Sequence, residues 1–151
     1  YDLAQKHGGI VASTDNFSEL ASGFWTLHGD VGDVSPIQAL TKSWEVPALA
    51  EHLGVPRDIV EAVPTDGLGI ANGDEDQFGF SYLEFDIALF SILRREVNED
   101  ELTDEDRAIV NAVADRVRST TYKRTNPFNL DHPIDSSRYS ELSKLDNYLR
   151  S

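Results

Sequence analysis

Only two short segments of this 151-residue chain have the residue pattern of β-strands. One is the run "GGIVAST", where continuous apolar residues follow two glycines, and the other is the extended end of "HGDVGDVSPIQAL". A parallel sheet needs covered faces and several neighbouring strands, so two strands cannot form one by themselves. The pattern therefore predicts part of an α/β fold, mostly helical with about two parallel strands. Its other strands are expected in an N-terminal part outside these residues.

Two long helices are predicted by capping boxes, in which a hydroxyl residue is followed three positions later by an acid. The first pair is Ser81 and Glu84, ahead of apolar residues at helical spacing, and the second pair is Thr103 and Asp106. The second helix also has acids in its first turn and arginines in its last turn, which suits the helix dipole.

Shorter helices are predicted elsewhere in the chain. "NFSELASGFW" is one, "TKSWEVPALAEHLGVP" is another with Thr41 as its cap, and "PRDIVEAV" is a third. Pro47 removes a backbone donor and is expected to kink the second of these helices or to delay its start. The first residues are interpreted as the last turns of a helix that ends at Gly8, and residues 125–151 as a tail with one short helix.

The composition narrows the class of protein. The chain is long enough for one domain with a core, and it has no membrane-length apolar run and no signal-peptide pattern. The net charge of −14 argues against a nucleic-acid partner. The absence of cysteine excludes disulfides and thiolate metal sites and is compatible with the cytoplasm. Methionine is also absent and the first residue is Tyr1, so we expect the chain to be part of a longer protein.

The first candidate site follows the predicted strand "GGIVAST". Thr14, Asp15 and Glu19 come just after it, and open α/β sheets bind ligands beyond the carboxyl ends of their strands. A carboxylate there can hold Mg²⁺, which prefers oxygen ligands and bridges to phosphates. The structural alternative is that Thr14 or Asp15 caps the next helix and that Glu19 is solvated.

A second candidate is the loop "HGDVGD", which contains His28, Asp30 and Asp33. Its glycines let a ligand approach the backbone, and its carboxylates can accept hydrogen bonds from ribose or amide groups. A calcium loop is a competing interpretation, but the full EF-hand spacing is absent, and the scattered histidines match no zinc motif. An ordinary structured turn is the simpler alternative.

Four further residues are singled out, and three of them, Lys42, Tyr122 and Lys123, lie where a phosphate could be bound. Lys42 lies at a predicted helix start, where an ammonium beside free backbone N–H groups suits a phosphate, although a solvated lysine is common there. Thr65 lies in a loop bounded by proline and glycine, and taken alone it is a turn residue. Tyr122 and Lys123 belong to the basic segment "RVRSTTYKR", where a positive charge either meets a phosphate or complements the helix dipole.

The order of these motifs resembles that in the carboxyl-terminal half of NAD synthetase. The resemblance covers nearly all of residues 1 to about 127, with one short gap in the Gly-Asp loop. It depends on seven segments that occur in the family's order: "STDNFSE", "SGFWTLHGDVGD", "PIQALTKS", "LAEHLGVP", "VPTDGLG", "DEDQFGFSYLEFD" and "YKRTNP".

The resemblance implies a role for individual residues by position. Thr14, Lys42 and Thr65 would contact ATP, and Glu19 would ligate magnesium. The residues that would contact the substrate deamido-NAD are Leu27, Asp33, Tyr122 and Lys123.

Three of these positions depart from the family pattern. Leu27 stands where many members have a substrate-binding lysine, and Tyr122 stands where a histidine is usual. Asp33 matches only if the loop is one residue shorter. The family's Ser-Gly-Gly-x-Asp-Ser loop, which grips the pyrophosphate of ATP, is not among these residues, so we expect the chain alone to be inactive.

The resemblance further implies a Rossmann-like adenine-nucleotide α-hydrolase (ATP pyrophosphatase) fold, with residues 1–151 as the carboxyl-terminal part of one domain. The implied activity is the ATP-dependent amidation of deamido-NAD to NAD in a homodimer, with ammonia supplied free or from glutamine. One alternative is another ATP-pyrophosphatase ligase such as the amidating part of GMP synthetase, although "GDVGD" together with "VPTDGLG" argues against it. The other is a non-catalytic acidic module used for dimerisation or partner docking.

Overall fold

The computed structural model describes residues 1–65, 67, 69, 73–98 and 100–125. Eight helices lie within these ranges, and none of them is long and apolar enough to cross a membrane. In chain order they are α1 (Asp2–His7), α2 (Phe17–Ser22), α3 (Glu45–His52), α4 (Arg57–Val60), α5 (Asp74–Phe78), α6 (Tyr82–Arg94), α7 (Asp104–Ser119) and α8 (Thr121–Arg124).

The two predicted strands meet at a single parallel β-bridge between Ala12 and Val34. The backbone N–H of Ser13 donates to the carbonyl of Val34 at 2.8 Å, so the pairing has the expected parallel direction. Gly32 allows this close approach, since a Cβ atom there would lie 2.7 Å from the backbone nitrogen of Ser13. The expectation of about two parallel strands is therefore reduced to one bridge in the described residues, because an isolated pair has no further strands to extend it.

Local sequence signals place most helix ends correctly. The predicted capping boxes of Ser81 with Glu84 and of Thr103 with Asp106 are both present, at the starts of α6 and α7. Helix α1 ends at Gly8, whose φ of 64° is in the left-handed region that glycine adopts at low cost.

The start of α3 corrects one prediction. The N-cap is Trp44 rather than Thr41, because Pro47 fits only in the first turn of a helix, and the start is delayed as its position predicted. Helices α5 and α8 were not predicted, since each is five residues or fewer, has no side-chain cap and, unlike α4, has no proline to mark its start. The predicted helix of the tail lies outside the described residues.

The apolar core lies where α2, α6 and α7 pack together. Phe85 and Val113 are fully buried there, and burying a side chain of this size contributes roughly 1.5–3 kcal/mol. Phe78 of α5 packs edge-on against Phe24, with ring centroids 4.9 Å apart, and stacks on Phe85 at 6.2 Å. These aromatic contacts join the short helix α5 to the core.

Buried Asp86 ties α6 to two other segments. Its Oδ1 accepts a hydrogen bond from the Ser18 hydroxyl of α2 at 2.5 Å, and its Oδ2 accepts two from Ser43, from the backbone N–H at 3.2 Å and the hydroxyl at 2.5 Å. The backbone N–H of Lys42 in turn donates to the Ser18 hydroxyl at 2.9 Å. This network fixes the backbone from which the Lys42 side chain extends.

Basic side chains from the end of the described chain bind the carboxyl end of α2. Arg124 donates to the carbonyls of Leu20 and Ala21 at 3.1 and 2.8 Å, although α2 has no basic residue in its own last turn. Cations are favourable at this end of a helix because its carbonyls carry partial negative charge. Gly23, the cap residue, lies against Thr120, whose Cβ would be 2.4 Å from a Cβ atom at that glycine.

Candidate functional site

A cavity of about 740 Å³ opens beside the β-bridge and the start of α2. Five of the residues to which the resemblance assigns a role line it, although they come from four separate stretches of the chain: Thr14 with Glu19, then Lys42, Thr65 and Lys123. Its volume lies within the range of roughly 300–1,000 Å³ that small-molecule and cofactor sites occupy.

Lys42 and Glu19 form the closest ion pair in the cavity. The ammonium donates to Glu19 Oε1 at 2.6 Å and to Asp74 Oδ2 at 3.3 Å, and it lies 4.6 Å from the centre of the Tyr82 ring. Burial, followed by the negative charge of Asp74, raises the pKa of Tyr82 well above its ordinary value, so this phenol stays neutral. Its hydroxyl donates to Asp74 at 3.2 Å.

Glu19 has a second, structural partner. Its Oε2 accepts a hydrogen bond from the backbone N–H of Asn16 at 3.1 Å, and the Asn16 side chain accepts from the backbone N–H of Glu19 at 3.0 Å. This reciprocal pair is the capping box of α2, so Asn16 is the cap rather than Thr14 or Asp15. The side chain of Glu19 is 15% exposed, so the alternative interpretation of Glu19 as a solvated residue is wrong.

Asp74 is a cavity residue that the sequence analysis did not identify. It is 3% exposed, and its Oδ1 has no hydrogen-bond partner within the described residues. Asp74 is the first acid of the acidic segment "DEDQFGF". Acids in such a segment are usually solvated, so nothing in the local sequence indicates that this one is buried. A buried carboxylate costs free energy unless it is paired, so the Lys42 ammonium compensates for it here.

Asp15 also lines the cavity. Burial, together with the negative charges of Glu19 and Asp30, raises the pKa of the Asp15 carboxyl to about 6. Asp30 is itself a cavity residue, and one of its oxygens accepts a hydrogen bond from the backbone N–H of Thr26 at 2.5 Å. A cation bound beside Asp15 would oppose this rise in its pKa.

Lys123 reaches the cavity from α8. Its ammonium donates to the carbonyls of Gly23 and Trp25 at 2.6 and 2.5 Å, so two of its three donors are engaged. Burial, and then the positive charge of Arg116, lower the pKa of Lys123, while Asp30 opposes this shift. The lysine thus fastens the loop after α2 and keeps one donor for a ligand.

Three predicted residues do not line this cavity. Leu27 is half-buried in the turn after α2, and Tyr122 is 61% exposed. The Asp33 carboxylate accepts a hydrogen bond from the backbone N–H of Val11 at 2.9 Å beside the β-bridge. In the described structure the loop therefore presents Asp30 to the cavity instead of Asp33.

The donor set fits a magnesium ion held by few protein ligands. No group of three or more metal-ligating side chains occurs within the described residues. Mg²⁺ commonly takes one or two carboxylates and completes its shell with water and phosphate oxygens, so a single carboxylate such as that of Glu19 is compatible with such a site. Its Oε1, now on the Lys42 ammonium, is the oxygen available for exchange.

Helices together with a parallel β pairing, and a charged cavity beside that pairing, are the features of an α/β protein, a class in which ligands bind beyond the carboxyl ends of strands. The chain belongs to the NAD synthase family, whose model matches residues 1–127. It is similar to the NH₃-dependent NAD⁺ synthetase of Chlorobaculum parvum, at 36% identity over 132 residues, which are 84% of this chain and 47% of that protein. The chain thus spans about half the length of the curated relatives it matches.

Two solved structures are similar to the fold. One is the NMN synthetase from Francisella tularensis, with a TM-score of 0.70, 28% identity, and coverage of 87% of this chain and 51% of that one. The other is the NH₃-dependent NAD synthetase from Campylobacter jejuni, with a TM-score of 0.64, 26% identity, and coverage of 87% and 49%. Both are consistent with the expected adenine-nucleotide α-hydrolase fold, and the helical content agrees with the mostly helical structure predicted.

Proposed function

We propose that the protein containing this chain amidates deamido-NAD to NAD, using ATP and ammonia through an adenylated intermediate. The observation that supports this most is the shared cavity: residues implied to bind ATP, magnesium and deamido-NAD line one hollow, although Thr14 and Lys123 lie more than a hundred positions apart. Family membership over residues 1–127 also supports the proposal.

In the proposed reaction, the nicotinate carboxylate attacks the α-phosphorus of ATP and pyrophosphate leaves with the electrons of the broken P–O bond. Ammonia then attacks the adenylated carbonyl, AMP leaves, and the nitrogen loses a proton. Such transfers depend on positioning and on neutralising charge.

Lys42 would neutralise negative charge on the phosphates of ATP. Its ammonium is aimed into the cavity by two carboxylates and the Tyr82 ring, and its backbone is held through Ser18. Thr14 and Thr65 are exposed hydroxyl residues at the cavity wall, and each can donate to or accept from the nucleotide.

Magnesium bound at Glu19 would supply Lewis-acid stabilisation of the phosphate charge. Glu19 would exchange the ammonium for the metal, which leaves Lys42 with Asp74 and frees one of its donors for a phosphate oxygen. The capping hydrogen bond from Asn16 would keep the Glu19 side chain oriented during this exchange.

Several properties of the whole protein belong to the same proposal. We expect a homodimer in the cytoplasm, ammonia taken up free or from a glutaminase, and a Ser-Gly-Gly-x-Asp-Ser loop contributed by residues beyond the 151 of this chain. The chain alone would then lack activity. Tight binding of Mg-ATP to the 151-residue chain in isothermal titration would contradict this expectation.

A second candidate is the amidation of nicotinate mononucleotide. The similarity in fold to an NMN synthetase favours it, at the higher of the two TM-scores given above. The two substrates share the nicotinate carboxylate, the ribose and a phosphate, so the described cavity suits either. They differ in the adenylate half, which only the dinucleotide carries.

The deciding experiment uses the protein at its natural length. It is incubated with Mg-ATP, ammonium and, in separate reactions, deamido-NAD, nicotinate mononucleotide or xanthosine monophosphate, and products are resolved by chromatography. We expect NAD, AMP and pyrophosphate in equal amounts from deamido-NAD. Release of ADP, or conversion of xanthosine monophosphate alone, would overturn the proposal, and preference for the mononucleotide would establish the second candidate.

Glu19→Gln tests the metal ligand, because glutamine at this position still completes the capping box. We expect a large loss of kcat and a raised requirement for Mg²⁺. Glu61→Gln is the matched control, since that acid is 59% exposed and its ion pair with Arg57 lies on the surface. Equal activity in the two variants would remove Glu19 from the site.

A further inference from the structure

Three cations line the cavity within the described residues, and they differ in how many donors remain for a ligand. Lys42 is held by two carboxylates and Lys123 by two carbonyls. Arg116 of α7 uses only its Nε, which donates to the carbonyl of Ser22 at 2.7 Å. Its Nη1 and Nη2 groups donate to no acceptor in the part of the chain that the structure describes.

The Arg116 guanidinium is nonetheless held in place. It lies over the Phe78 ring, with its central carbon 5.4 Å from the ring centroid, and the hydrogen bond to Ser22 fixes its edge. A partly buried guanidinium restrained on one edge and one face presents its remaining donors as a rigid fork, the geometry that matches carboxylate and phosphate oxygens.

Arg116 and Lys123 lie next to each other at one part of the cavity wall. Arg116 donates to the carbonyl of Ser22, and Lys123 donates to the carbonyls of Gly23 and Trp25, so both cations are held at the carboxyl end of α2 and the loop after it. Lys42 is held elsewhere on the wall, by Glu19 and Asp74. The lysine implied to bind ATP and the pair of cations at the end of α2 therefore have different partners within one cavity.

We infer that Arg116 binds an oxyanion of the nicotinate nucleotide, either its phosphate or its carboxylate, and orients that substrate beside Lys123. This inference rests on the proposed function, because the nicotinate nucleotide is the substrate of that reaction. It adds a binding residue that sequence reasoning missed, since an arginine in the last turn of a helix is also explained by the helix dipole.

The test compares Arg116→Gln and Arg116→Lys with Arg118→Gln in the protein at its natural length. Arg118 lies on the same helix, is 75% exposed and pairs with Asp115, so its variant removes the same charge from the surface. A hydrogen-bonded charge pair of this kind corresponds to about 10- to 100-fold in affinity. Arg116→Gln should therefore weaken deamido-NAD binding by about that factor, Arg116→Lys by less, and Arg118→Gln by under about twofold.

A merely structural role would disturb both substrates, so the KM for ATP is measured in the same variants and should stay within about threefold of wild type. Titration with NAD, which keeps the phosphates and lacks the carboxylate, identifies the oxyanion. Weaker binding of both dinucleotides in Arg116→Gln indicates the phosphate, and weaker binding of deamido-NAD alone indicates the carboxylate.

Arg116→Gln that binds deamido-NAD as tightly as Arg118→Gln does would overturn the inference while the proposed function stands. A parallel rise of both KM values would overturn it too. If the wild-type protein converts neither nicotinate nucleotide, the proposed function fails, and titration with inorganic pyrophosphate then decides about Arg116. Weaker pyrophosphate binding in Arg116→Gln than in Arg118→Gln supports the oxyanion site, and equal binding refutes it.

Discussion

Asp86 offers the sharpest test of how the fold holds the site. Its carboxylate is fully buried and accepts three hydrogen bonds, one from Ser18 and two from Ser43. Asp86→Ala leaves two hydroxyls and one backbone N–H without their acceptor. Hydrogen bonds to a charged group contribute about 1.5–3 kcal/mol each, but the hydroxyls can rotate and the desolvation cost of the carboxylate disappears.

We therefore expect Asp86→Ala to lower the free energy of unfolding by about 3–5 kcal/mol. Asp86→Asn keeps the shape and one acceptor, so it should cost about 1–2 kcal/mol. Since the unfolding free energy of a domain is about 5–15 kcal/mol, the alanine variant should lose a large part of it.

Equilibrium urea unfolding, followed by tryptophan fluorescence, measures both losses. Asp115→Asn is the control, because Asp115 is 75% exposed and its pair with Arg118 should contribute under about 1 kcal/mol. An Asp86→Ala midpoint equal to that of Asp115→Asn, with an unchanged m-value, would refute the assigned role of the buried network.

Three further predictions concern the cavity wall. Gly23 has a positive φ, and Gly23→Ala would place its Cβ against Thr120, so the free energy of unfolding should fall by at least about 2 kcal/mol in urea unfolding. Gly8→Ala is the control: its φ is also positive but its Cβ meets nothing within 4 Å, so it should lose about 1 kcal/mol. The folded protein binds the Asp15 proton more tightly than the unfolded chain does, so the free energy of unfolding should fall as pH rises from 3.8 to about 6. Asp15→Asn should flatten this dependence of stability on pH. The same pH dependence in wild type and variant would contradict the raised pKa of Asp15. Lys42→Gln removes the cation that pairs with buried Asp74, so it should lower the free energy of unfolding by about 1–3 kcal/mol. Lys6→Gln breaks an exposed pair and should lower it by under about 0.5 kcal/mol. Equal losses in the two variants would argue against the buried pair.

Local physics explains what was predicted correctly along the chain. A capping box needs residues three positions apart, a glycine stop needs one residue, and the effect of Pro47 on α3 is confined to one turn. Each of these features is complete within a few residues, so Ser81, Thr103 and Gly8 could be assigned from the sequence. Membership of the NAD synthase family was also recognised from the order of short motifs, and the family match over residues 1–127 confirms it.

Helix α2 shows where such reasoning stops. The alternative interpretation of Thr14 or Asp15 made one of them its cap, but the cap is Asn16, because the reciprocal bond with Glu19 satisfies two backbone donors at once. The other end of α2 has no basic residue nearby in the chain, and its carbonyls are bound by Arg116, Lys123 and Arg124. No local pattern connects residues about a hundred positions apart.

The amino-acid sequence by itself determined the family, several helix ends and most of the polar residues from which the candidate site is built. Only the tertiary structure decided which of them share a cavity: it set Lys42 between Glu19 and Asp74, turned Asp30 inward, and left Arg116 with free donors. The physical reason is the distance along the chain over which each kind of interaction acts. Helix caps and stops depend on hydrogen bonds within one turn, whereas pairing of buried charges depends on packing among distant segments, which leaves no periodic signal in the chain.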